Sequence, residues 1–273
     1  MANPTVMAAS GTRLKSQPEL TIVIPAYHEE KRIGSMLDEL AAFLKHDQFF
    51  KRKAVEVLVV AADAPDKTKD IVVAKQKLFK RLVLLEPGPK VGKGRDVQYG
   101  MLRASGRVVI FMDADLATPL YYLERFYKTC MGGHDVVAGT RNILKHHPGV
   151  IRRVISNIGN ILFRVAGGVW IEDSQCGFKM FSKRAAQVCF AKLSITGWGF
   201  DMEVLAIARA NNLKIASYRI NDWRAVPGGT FTEDMLSTIV HSLRDLGRIA
   251  LGRLTGAYLD RPDEQLEFYK KLV

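Results

Sequence analysis

The amino-acid sequence predicts an α/β fold in which a mainly parallel sheet is flanked by helices within a single domain. In the first half of the chain, short apolar runs alternate with segments whose apolar residues recur at helical spacing. The runs are apolar almost throughout, as expected for parallel strands covered on both faces. No internal repeat and no Pro/Gly/Ser-rich linker separates the two halves, which favours one domain.

The elements of the first half follow from these patterns in order. The predicted strands are Leu20–Ala26, Val55–Val60, Arg81–Leu85 and Arg107–Met112. The predicted helices are Glu29–Lys45, a helix that begins near Asp66, and Lys93–Ala104. Because strands and helices alternate, crossover connections between parallel strands are expected.

The second half is less regular. The predicted strands are Asp135–Gly139, Phe178–Phe181 and Leu213–Tyr218. The predicted helices are Val154–Ala166, ended by Gly167 and Gly168, then Asp201–Ala210 and Phe231–Leu254, the last either long or broken. A basic loop is expected over Arg141–Arg153.

Composition narrows the class of partner. The chain has 273 residues, 48% of them hydrophobic and 25% charged, which is typical of a globular protein and excludes a mainly disordered chain. Forty Lys and Arg against 28 Asp and Glu leave a net charge of +12, which favours nucleic acid, a phosphorylated small molecule or an acidic membrane. The basic residues are dispersed and match no nucleic-acid motif, so no nucleic-acid partner is expected.

Cysteine usage and hydropathy predict a cytoplasmic protein. Three cysteines without CxxC spacing indicate neither a disulfide framework nor a structural zinc site. No stretch approaches 18 consecutive apolar residues, so any membrane contact is expected to be peripheral. Residues 1–18 are interpreted as a disordered leader.

Two aspartates follow the fourth predicted strand. Ligands of open α/β sheets collect beyond the carboxyl ends of strands, which is where Asp113 and Asp115 stand. Carboxylates at positions i and i+2 can face one cation, and oxygen ligands suit Mg²⁺ or Mn²⁺ together with substrate phosphates. The alternative is a solvated Asp-x-Asp turn, but the position after an apolar strand favours a metal.

Polar residues also follow the first and second strands. Tyr27 offers a stacking face, while Glu29 and Asp63 can accept hydrogen bonds from a base and a ribose. Ordinary turn and capping chemistry is the alternative. The glycine-rich run Gly88–Arg95 is not a P-loop, but its N–H groups and Lys93 could hold a diphosphate at a helix N-terminus; a plain flexible turn is the alternative.

Taken together, these motifs resemble family 2 glycosyltransferases, and within them the dolichyl-phosphate β-glucosyltransferase branch. The segments that carry the resemblance are VIPAYHEE (23–30), GKGRDVQYGM (92–101), FMDADLATP (111–119), AGTR (138–141), EDSQCGFKMFSK (172–183), GWGFDMEVL (197–205) and LTGAYL (254–259). They extend over nearly the whole chain, and DSQCGFKMF combined with DADLAT is far more specific than DxD alone.

The resemblance implies a GT-A fold with a Rossmann-like sheet over residues 19–230, followed by a C-terminal amphipathic helical segment over 231–273. It implies inverting transfer of glucose from UDP-glucose to a polyprenyl or dolichyl phosphate, with Mg²⁺ or Mn²⁺ at Asp113 and Asp115. For the nucleotide sugar, it implies contacts with Pro25, Ala26, Tyr27, Glu29, Asp63, Lys93, Asp113 and Ala114.

The resemblance also implies residues for the acceptor and for catalysis. Arg141 and Arg164 would receive the acceptor phosphate, helped by Arg152, Arg153 and Lys179. A lipid phosphate is already an anionic nucleophile, so Asp173 is expected to orient groups or to act as a weak base. Asp115 is the second predicted catalytic carboxylate, through its metal.

The sequence departs from the family pattern after the second strand. Where the family usually has two aspartates that help to read the base, this chain has Ala61 and Ala62, with Asp63 one place later. The base and the sugar of the donor therefore stay open, GDP-mannose included. A soluble acceptor and a binding protein without catalysis are the remaining alternatives.

The last predicted helix suggests how such a protein could reach a lipid. Residues 231–254 mix apolar residues with Arg244, Arg248 and Arg253, as in helices that lie at an anionic bilayer surface. A helix packed on the core is the alternative.

Overall fold

Seven strands form one sheet in this computed structural model, which describes residues 17–141, 159, 161–224 and 235–260. The strands are β1 (Leu20–Ala26), β2 (Val55–Ala61), β3 (Leu82–Leu85), β4 (Val108–Met112), β5 (Val136–Arg141), β6 (Phe178–Ser182) and β7 (Ile215–Ile220). All seven predicted strands are confirmed, with bounds that differ by a few residues.

Helices cover both faces of the sheet. They are α1 (Ile33–His46), α2 (Thr68–Lys75), α3 (Lys93–Arg103), α4 (Tyr122–Met131), α5 (Lys183–Ala191), α6 (Phe200–Ala210) and α7 (Met235–Leu254), with a short 3-10 turn at Gln76–Leu78. Residues 161–167 are also helical, and Gly168 ends that segment with a φ of +66°.

The strand order is β3-β2-β1-β4-β6-β5-β7. Strands β3, β2, β1 and β4 are parallel, and β5 pairs in parallel with β7. Strand β6 lies antiparallel between β4 and β5. The predicted α/β architecture with a mainly parallel sheet is therefore confirmed, and the reversal at β6 brings the loops before β6 and after β4 together.

The core lies on both faces of the sheet. Strands β1, β2 and β4 are buried almost throughout, which explains why their sequences are apolar without alternation. Helix α3 packs closely on one face, because a Cβ atom at Gly100 would lie 2.5 Å from Val23 Cγ1 and 2.7 Å from Val60 Cγ2. Glycine at this position allows the helix to approach β1 and β2.

Two helices were not predicted. Helix α4 buries Leu123, Phe126, Tyr127 and Cys130, a helical spacing that the sequence displays. Helix α5 begins after Ser182, whose Oγ accepts the Ala185 N–H at 3.2 Å as an N-cap.

The long last helix packs on the core along one side, as one of the two alternatives predicted, and the predicted membrane contact stays a prediction. Leu246 and Ile249 are buried in the core, while Val240, Leu243, Leu251 and Leu254 are exposed. Within the described ranges, no helix combines the length and the hydropathy needed to cross a bilayer. The leader up to residue 16, most of the basic loop with Arg152 and Arg153, and residues 261–273 lie outside the described residues.

Candidate active site

A cavity of about 510 Å³ opens at the carboxyl ends of β1 and β4. It is walled by the residues that follow those strands, by the start of α3 and by the segments that precede β6 and α6. Seven residues predicted for the donor line it: Pro25, Ala26, Tyr27, Glu29, Lys93, Asp113 and Ala114. Asp115 and Arg141 line it as well.

Asp113 and Asp115 both line the cavity. Lys93, the first residue of α3, reaches across the cavity, and its Nζ lies 2.5 Å from Asp113 Oδ1. Burial on its own would lower the pKa of Lys93, but the carboxylates of Asp113 and Asp201 outweigh it and raise that pKa. The lysine therefore stays cationic beside the aspartate.

The carboxylate of Asp115 is partly desolvated. Its Oδ1 accepts the Ala117 N–H at 3.0 Å. Burial and, more weakly, the charge of Asp113 raise the pKa of Asp115 above its usual value, against the opposing effect of that hydrogen bond. Two neighbouring carboxylates are stabilised by a cation, so the donor set fits Mg²⁺ or Mn²⁺.

The protein supplies few further metal ligands here. Among the described residues, no group of three or more His, Cys, Asp or Glu side chains is arranged to hold a metal. A divalent cation at Asp113 and Asp115 would complete its shell with substrate phosphates and water, as Mg²⁺ commonly does.

Gly177 leaves room for the side chain of Asp113. Met112 of β4 pairs with Phe178 of β6, so the residues just beyond this pair, Asp113 and Gly177, face each other. A Cβ atom at position 177 would lie 2.1 Å from Asp113 Oδ2. The glycine of the CGFK segment thus makes room for the carboxylate.

Arg141 and Asp173 form a buried ion pair at the cavity edge. Arg141 Nε lies 2.6 Å from Asp173 Oδ2, and its Nη2 lies 3.1 Å from Oδ1. The Arg141 and Gln175 N–H groups donate to the same carboxylate at 3.0 Å each. Burial on its own would raise the pKa of Asp173, but the Arg141 guanidinium outweighs it and holds that pKa below its usual value.

Arg141 and Asp173 differ in their position relative to the cavity. Arg141 lines the cavity and lies 5.4 Å from the ring centroid of Trp223. Asp173 is 2% exposed and lies behind Arg141 rather than on the cavity wall. The carboxylate is thus placed to orient Arg141.

The other described acceptor candidates lie elsewhere. Lys179 is fully buried, and its Nζ lies 2.5 Å from both Asp201 Oδ1 and the Cys176 carbonyl oxygen. Arg164 lies in the helical segment 161–167, where its Nε donates to the Ile171 carbonyl at 3.2 Å. Neither lines the cavity, so direct contact of Lys179 or Arg164 with a ligand in it is not supported.

The end of β1 forms the opposite wall. The Lys90 ammonium lies 3.9 Å from the Tyr27 ring centroid and covers the ring face that was expected to stack on a base. Glu29 receives two hydrogen bonds from Arg32, at 2.9 and 3.1 Å. Burial raises the pKa of Glu29 despite Arg32. His28 adopts a φ of +57°, a conformation that His tolerates better than most residues.

Asp63 lies outside the cavity wall. Its Oδ1 accepts from Lys69 Nζ at 2.7 Å, and the same ammonium lies 2.6 Å from Glu86. Ala61 and Ala62 are buried at the end of β2. The structure therefore brings no carboxylate from this strand end to the cavity.

Gly92, just before α3, and Gly94, in its first turn, allow close packing. A Cβ atom at Gly92 would lie 2.3 Å from the Thr196 carbonyl oxygen, and one at Gly94 would lie 2.6 Å from that of Ile195. The Arg95 N–H donates to the Thr196 carbonyl at 3.3 Å. This N–H is therefore already bonded within the protein, and the role of the Gly88–Arg95 run in holding a diphosphate stays a prediction.

Several cavity residues were not singled out from the sequence. They are Arg32, Lys90, Asp96, Gln175, Trp198, Asp201 and Trp223. Trp198 and Asp201 belong to the GWGFDMEVL segment, one of those that carry the family resemblance. Trp223 follows β7 and lies outside every quoted segment, so no local signal marks it.

Solved structures share this architecture. Glucosyl-3-phosphoglycerate synthase from Mycobacterium tuberculosis, in complex with Mn²⁺, UDP-Glc and glycerol 3-phosphate, matches with a TM-score of 0.60 over 86% of this chain and 80% of that chain, at 17% identity. Mannosyl-3-phosphoglycerate synthase from Rubrobacter xylanophilus matches with a TM-score of 0.59 over 90% and 77%, at 16% identity. The fold is the GT-A glycosyltransferase fold.

Sequence comparison defines the family. The profile of glycosyl transferase family 2 matches residues 21–190. Dolichyl-phosphate beta-glucosyltransferase ALG5D of Trichomonas vaginalis is 31% identical over 247 residues, covering 87% of this chain and 74% of that protein. The dolichyl-phosphate beta-glucosyltransferase of Drosophila melanogaster is 31% identical over 271 residues, covering 93% and 82%. The chain belongs to glycosyl transferase family 2 and is a glycosyltransferase.

Proposed function

We propose that this enzyme transfers glucose from UDP-glucose to the phosphate of a polyprenol such as dolichol, with inversion at the anomeric carbon. The proposal is supported by relatives named dolichyl-phosphate beta-glucosyltransferase and by the UDP-Glc and Mn²⁺ complex of a protein with the same fold. The observation that carries it is one cavity lined by Asp113, Asp115 and Lys93 and also by an arginine held in place, Arg141.

Asp113 and Asp115 would hold Mg²⁺ or Mn²⁺ against the donor diphosphate. The cation supplies charge stabilisation for the leaving nucleoside diphosphate. Lys93 adds a second positive charge at the same place, because the neighbouring carboxylates keep it protonated. When a phosphate enters, Lys93 can pair with it in place of Asp113.

Arg141 would receive the acceptor phosphate, and Asp173 acts as its positioning residue. The planar guanidinium suits a phosphate, and its pairing with Asp173 fixes the orientation before the acceptor arrives. Asp173 accepts four hydrogen bonds from Arg141 and Gln175, which leaves it poorly placed to take a proton. A general base is not required.

The reaction needs no proton transfer. An anionic oxygen of the lipid phosphate attacks the anomeric carbon, and the bond from that carbon to the β-phosphate oxygen breaks. The electron pair leaves with UDP. Attack opposite to the leaving group converts an α-linked donor into a β-linked product.

The test is product-forming turnover with labelled UDP-glucose and a short polyprenyl phosphate. The proposal predicts label that partitions into organic solvent, that requires Mn²⁺ or Mg²⁺, and that is lost with EDTA. Asp38→Asn is the matched control for Asp115→Asn, because Asp38 pairs with Lys75 at the surface, far from the cavity wall. Label that enters only a soluble acceptor would overturn the lipid assignment, and nucleotide binding without turnover would indicate a binding protein.

The same proposal includes peripheral contact with the cytosolic face of a membrane. The helical segment 161–167, the residues just after it and α7 expose large apolar side chains: Ile161, Leu162, Val165, Trp170, Leu251 and Leu254. Arg253 joins the two segments by donating to the Val165 and Ala166 carbonyls at 3.0 and 3.2 Å. Exposed Arg244 and Arg248 on α7 add the positive charge that anionic lipids attract.

Vesicle flotation tests this contact. Trp170, which is 77% exposed, is replaced by serine, and Val73, which is 52% exposed on α2, is replaced by serine as the control. The unaltered protein and Val73→Ser should float with phosphatidylserine-containing vesicles, and Trp170→Ser should float less. Equal flotation of all three would exclude this surface.

A further inference from the structure

Asp96 is a buried carboxylate on the cavity wall. Its side chain is 4% exposed, it lines the cavity, and its Oδ1 has no donor among the described residues. The Arg95 Nη1 lies 3.9 Å away, and the Arg95 guanidinium donates instead to the Pro89 and Pro87 carbonyls at 3.1 and 2.6 Å. A buried acceptor without a donor is costly, so its presence calls for a physical reason.

The other carboxylates of the cavity wall all have donors. Glu29 is bonded to Arg32, Asp113 to Lys93, Asp115 to the Ala117 N–H, and Asp201 to Lys179. Among the described residues that line the cavity, Asp96 is therefore the carboxylate that has a buried oxygen without a donor from the protein.

The position of Asp96 follows from the packing of α3. Gly100 lies one helical turn further on the same face and approaches Val23 of β1 and Val60 of β2 within contact distance. The start of α3 adjoins the carboxyl ends of these strands, where Ala26 pairs with Ala61. Asp96 therefore lies in the first turn of α3 and lines the same cavity as Ala26 and Tyr27 at the end of β1.

Lys90 supplies a cation on the same side. Its ammonium is held over the Tyr27 ring, 3.9 Å from the centroid, and lines the cavity. Burial raises the pKa of Asp96 to about 6, against the opposing charges of Arg95 and Lys90. Near neutral pH this side of the cavity thus presents one anionic acceptor and one cationic donor.

A carboxylate acceptor beside an ammonium donor is complementary to a ring N–H that is flanked by a carbonyl oxygen. Uracil has this edge in its N3–H and adjacent carbonyl oxygens, and guanine has a similar edge in its N1–H and O6. The proposed UDP-glucose donor selects uracil between the two. Cytosine and adenine present a ring nitrogen acceptor at the equivalent edge, which a carboxylate disfavours. A site built to bond one such group rejects analogues that lack it.

We propose that Asp96 is the residue that reads the donor's base, by accepting the N3–H of uracil, with Lys90 donating to a flanking carbonyl oxygen. This inference rests on the proposed UDP-glucose donor. It assigns base recognition to α3 rather than to the end of β2, where Asp63 is bound to Lys69 outside the cavity wall.

The test is calorimetric binding of UDP, N3-methyl-UDP and CDP to the full chain in the presence of Mn²⁺. The unaltered protein should bind UDP about 10- to 100-fold more tightly than N3-methyl-UDP, the range expected for one charged hydrogen bond. Asp96→Ala should weaken UDP by a similar factor and bind UDP and N3-methyl-UDP about equally. Asp96→Asn should narrow the preference for UDP over CDP, because an amide can also donate.

Asp70→Asn is the matched control, since Asp70 lies in the first turn of α2 as Asp96 does in that of α3. It should leave all three affinities unchanged, and thermal unfolding reports whether each variant is folded. UDP affinity retained in full by folded Asp96→Ala would overturn the role of Asp96 while leaving the donor intact. No binding of UDP to the unaltered protein would overturn the donor and the inference together.

Discussion

Arg141 donates hydrogen bonds to the Asp173 carboxylate from both its side chain and its backbone N–H. The Arg141 Nε and backbone N–H both donate to Asp173 Oδ2, at 2.6 and 3.0 Å. The two residues lie 32 positions apart, at the end of β5 and before β6, and the antiparallel insertion of β6 brings them together. The contact between Arg141 and Asp173 therefore depends on the topology of the sheet.

Asp173→Asn should impair acceptor use more than nucleotide binding. The amide keeps the shape but removes the charge that orients Arg141, so KM for the lipid phosphate should rise and kcat should fall, by roughly tenfold or more together. Affinity for UDP should stay within about twofold. Steady-state kinetics with varied acceptor, together with UDP titration, measure both quantities.

Glu172→Gln is the control for that variant. Glu172 is the preceding acidic residue, and its exposed pair with Arg219 lies at the surface. Its loss should have little effect on activity, since exposed ion pairs contribute about 0–1 kcal/mol. Equal impairment by both substitutions would contradict the assigned role of Asp173.

Gly177→Ala should damage the carboxylate pair. The added Cβ would lie 2.1 Å from Asp113 Oδ2, so Asp113 must move away from its place in the cavity. We expect loss of most activity and weaker Mn²⁺ affinity, measured by turnover and by metal titration. Gly247→Ala in α7 is the control, because no atom lies within 4 Å of its added Cβ. It should stabilise the protein by about 0.5–1 kcal/mol and leave turnover unchanged.

Tyr258→Phe should loosen the loop that carries Trp198. Glu203 is fully buried and accepts from the Ser194 and Ile195 N–H groups at 2.9 and 2.6 Å, and from the Tyr258 hydroxyl at 3.0 Å. Removal of the hydroxyl should lower the free energy of unfolding by about 1 kcal/mol, as measured by urea denaturation.

Tyr127→Phe is the comparison for Tyr258→Phe. The Tyr127 hydroxyl lies 3.5 Å from Glu19, at the outer limit of a hydrogen bond. Its loss should therefore cost clearly less. If Tyr127→Phe lowered the free energy of unfolding as much as Tyr258→Phe does, the hydrogen bond from Tyr258 to Glu203 would make no specific contribution to stability.

Asp96→Asn should change the pH dependence of stability. The native pKa of about 6 lies above the unfolded value of 3.8, so ionisation of Asp96 destabilises the fold as pH rises. The variant should be more stable than the unaltered protein at pH 8, by at most about 3 kcal/mol, with the gain diminishing below pH 6 and disappearing near about pH 4. Thermal unfolding across this range measures it, and a gain independent of pH would contradict the assigned burial.

The sheet was predictable because its strands are buried on both faces. Residues 20–26 and 108–112 are nearly uniformly apolar, and such runs are a strong local signal. The apolar residues of helix α4 recur at helical spacing, so the sequence does contain a local signal for this helix. The antiparallel direction of β6, in contrast, depends on long-range pairing that no local pattern records.

The site was predictable where strand ends carry it. Asp113 and Asp115 follow β4 directly, and both line the cavity. Lys179 was misplaced because its burial depends on Asp201, 22 positions away, and a sequence does not reveal which lysine has a buried partner. Asp96 gave no signal either, since its lack of a donor becomes visible only when its neighbours are in place.

The central claim is the formation of a β-glucosyl bond to a lipid phosphate. The most direct measurement is NMR of the organic-phase product made from UDP-glucose labelled with ¹³C at the anomeric carbon. The account predicts a β-configured anomeric signal coupled to phosphorus, absent without divalent metal and absent with Asp115→Asn. An anomeric carbon without phosphorus coupling, or one in the α configuration, would contradict it.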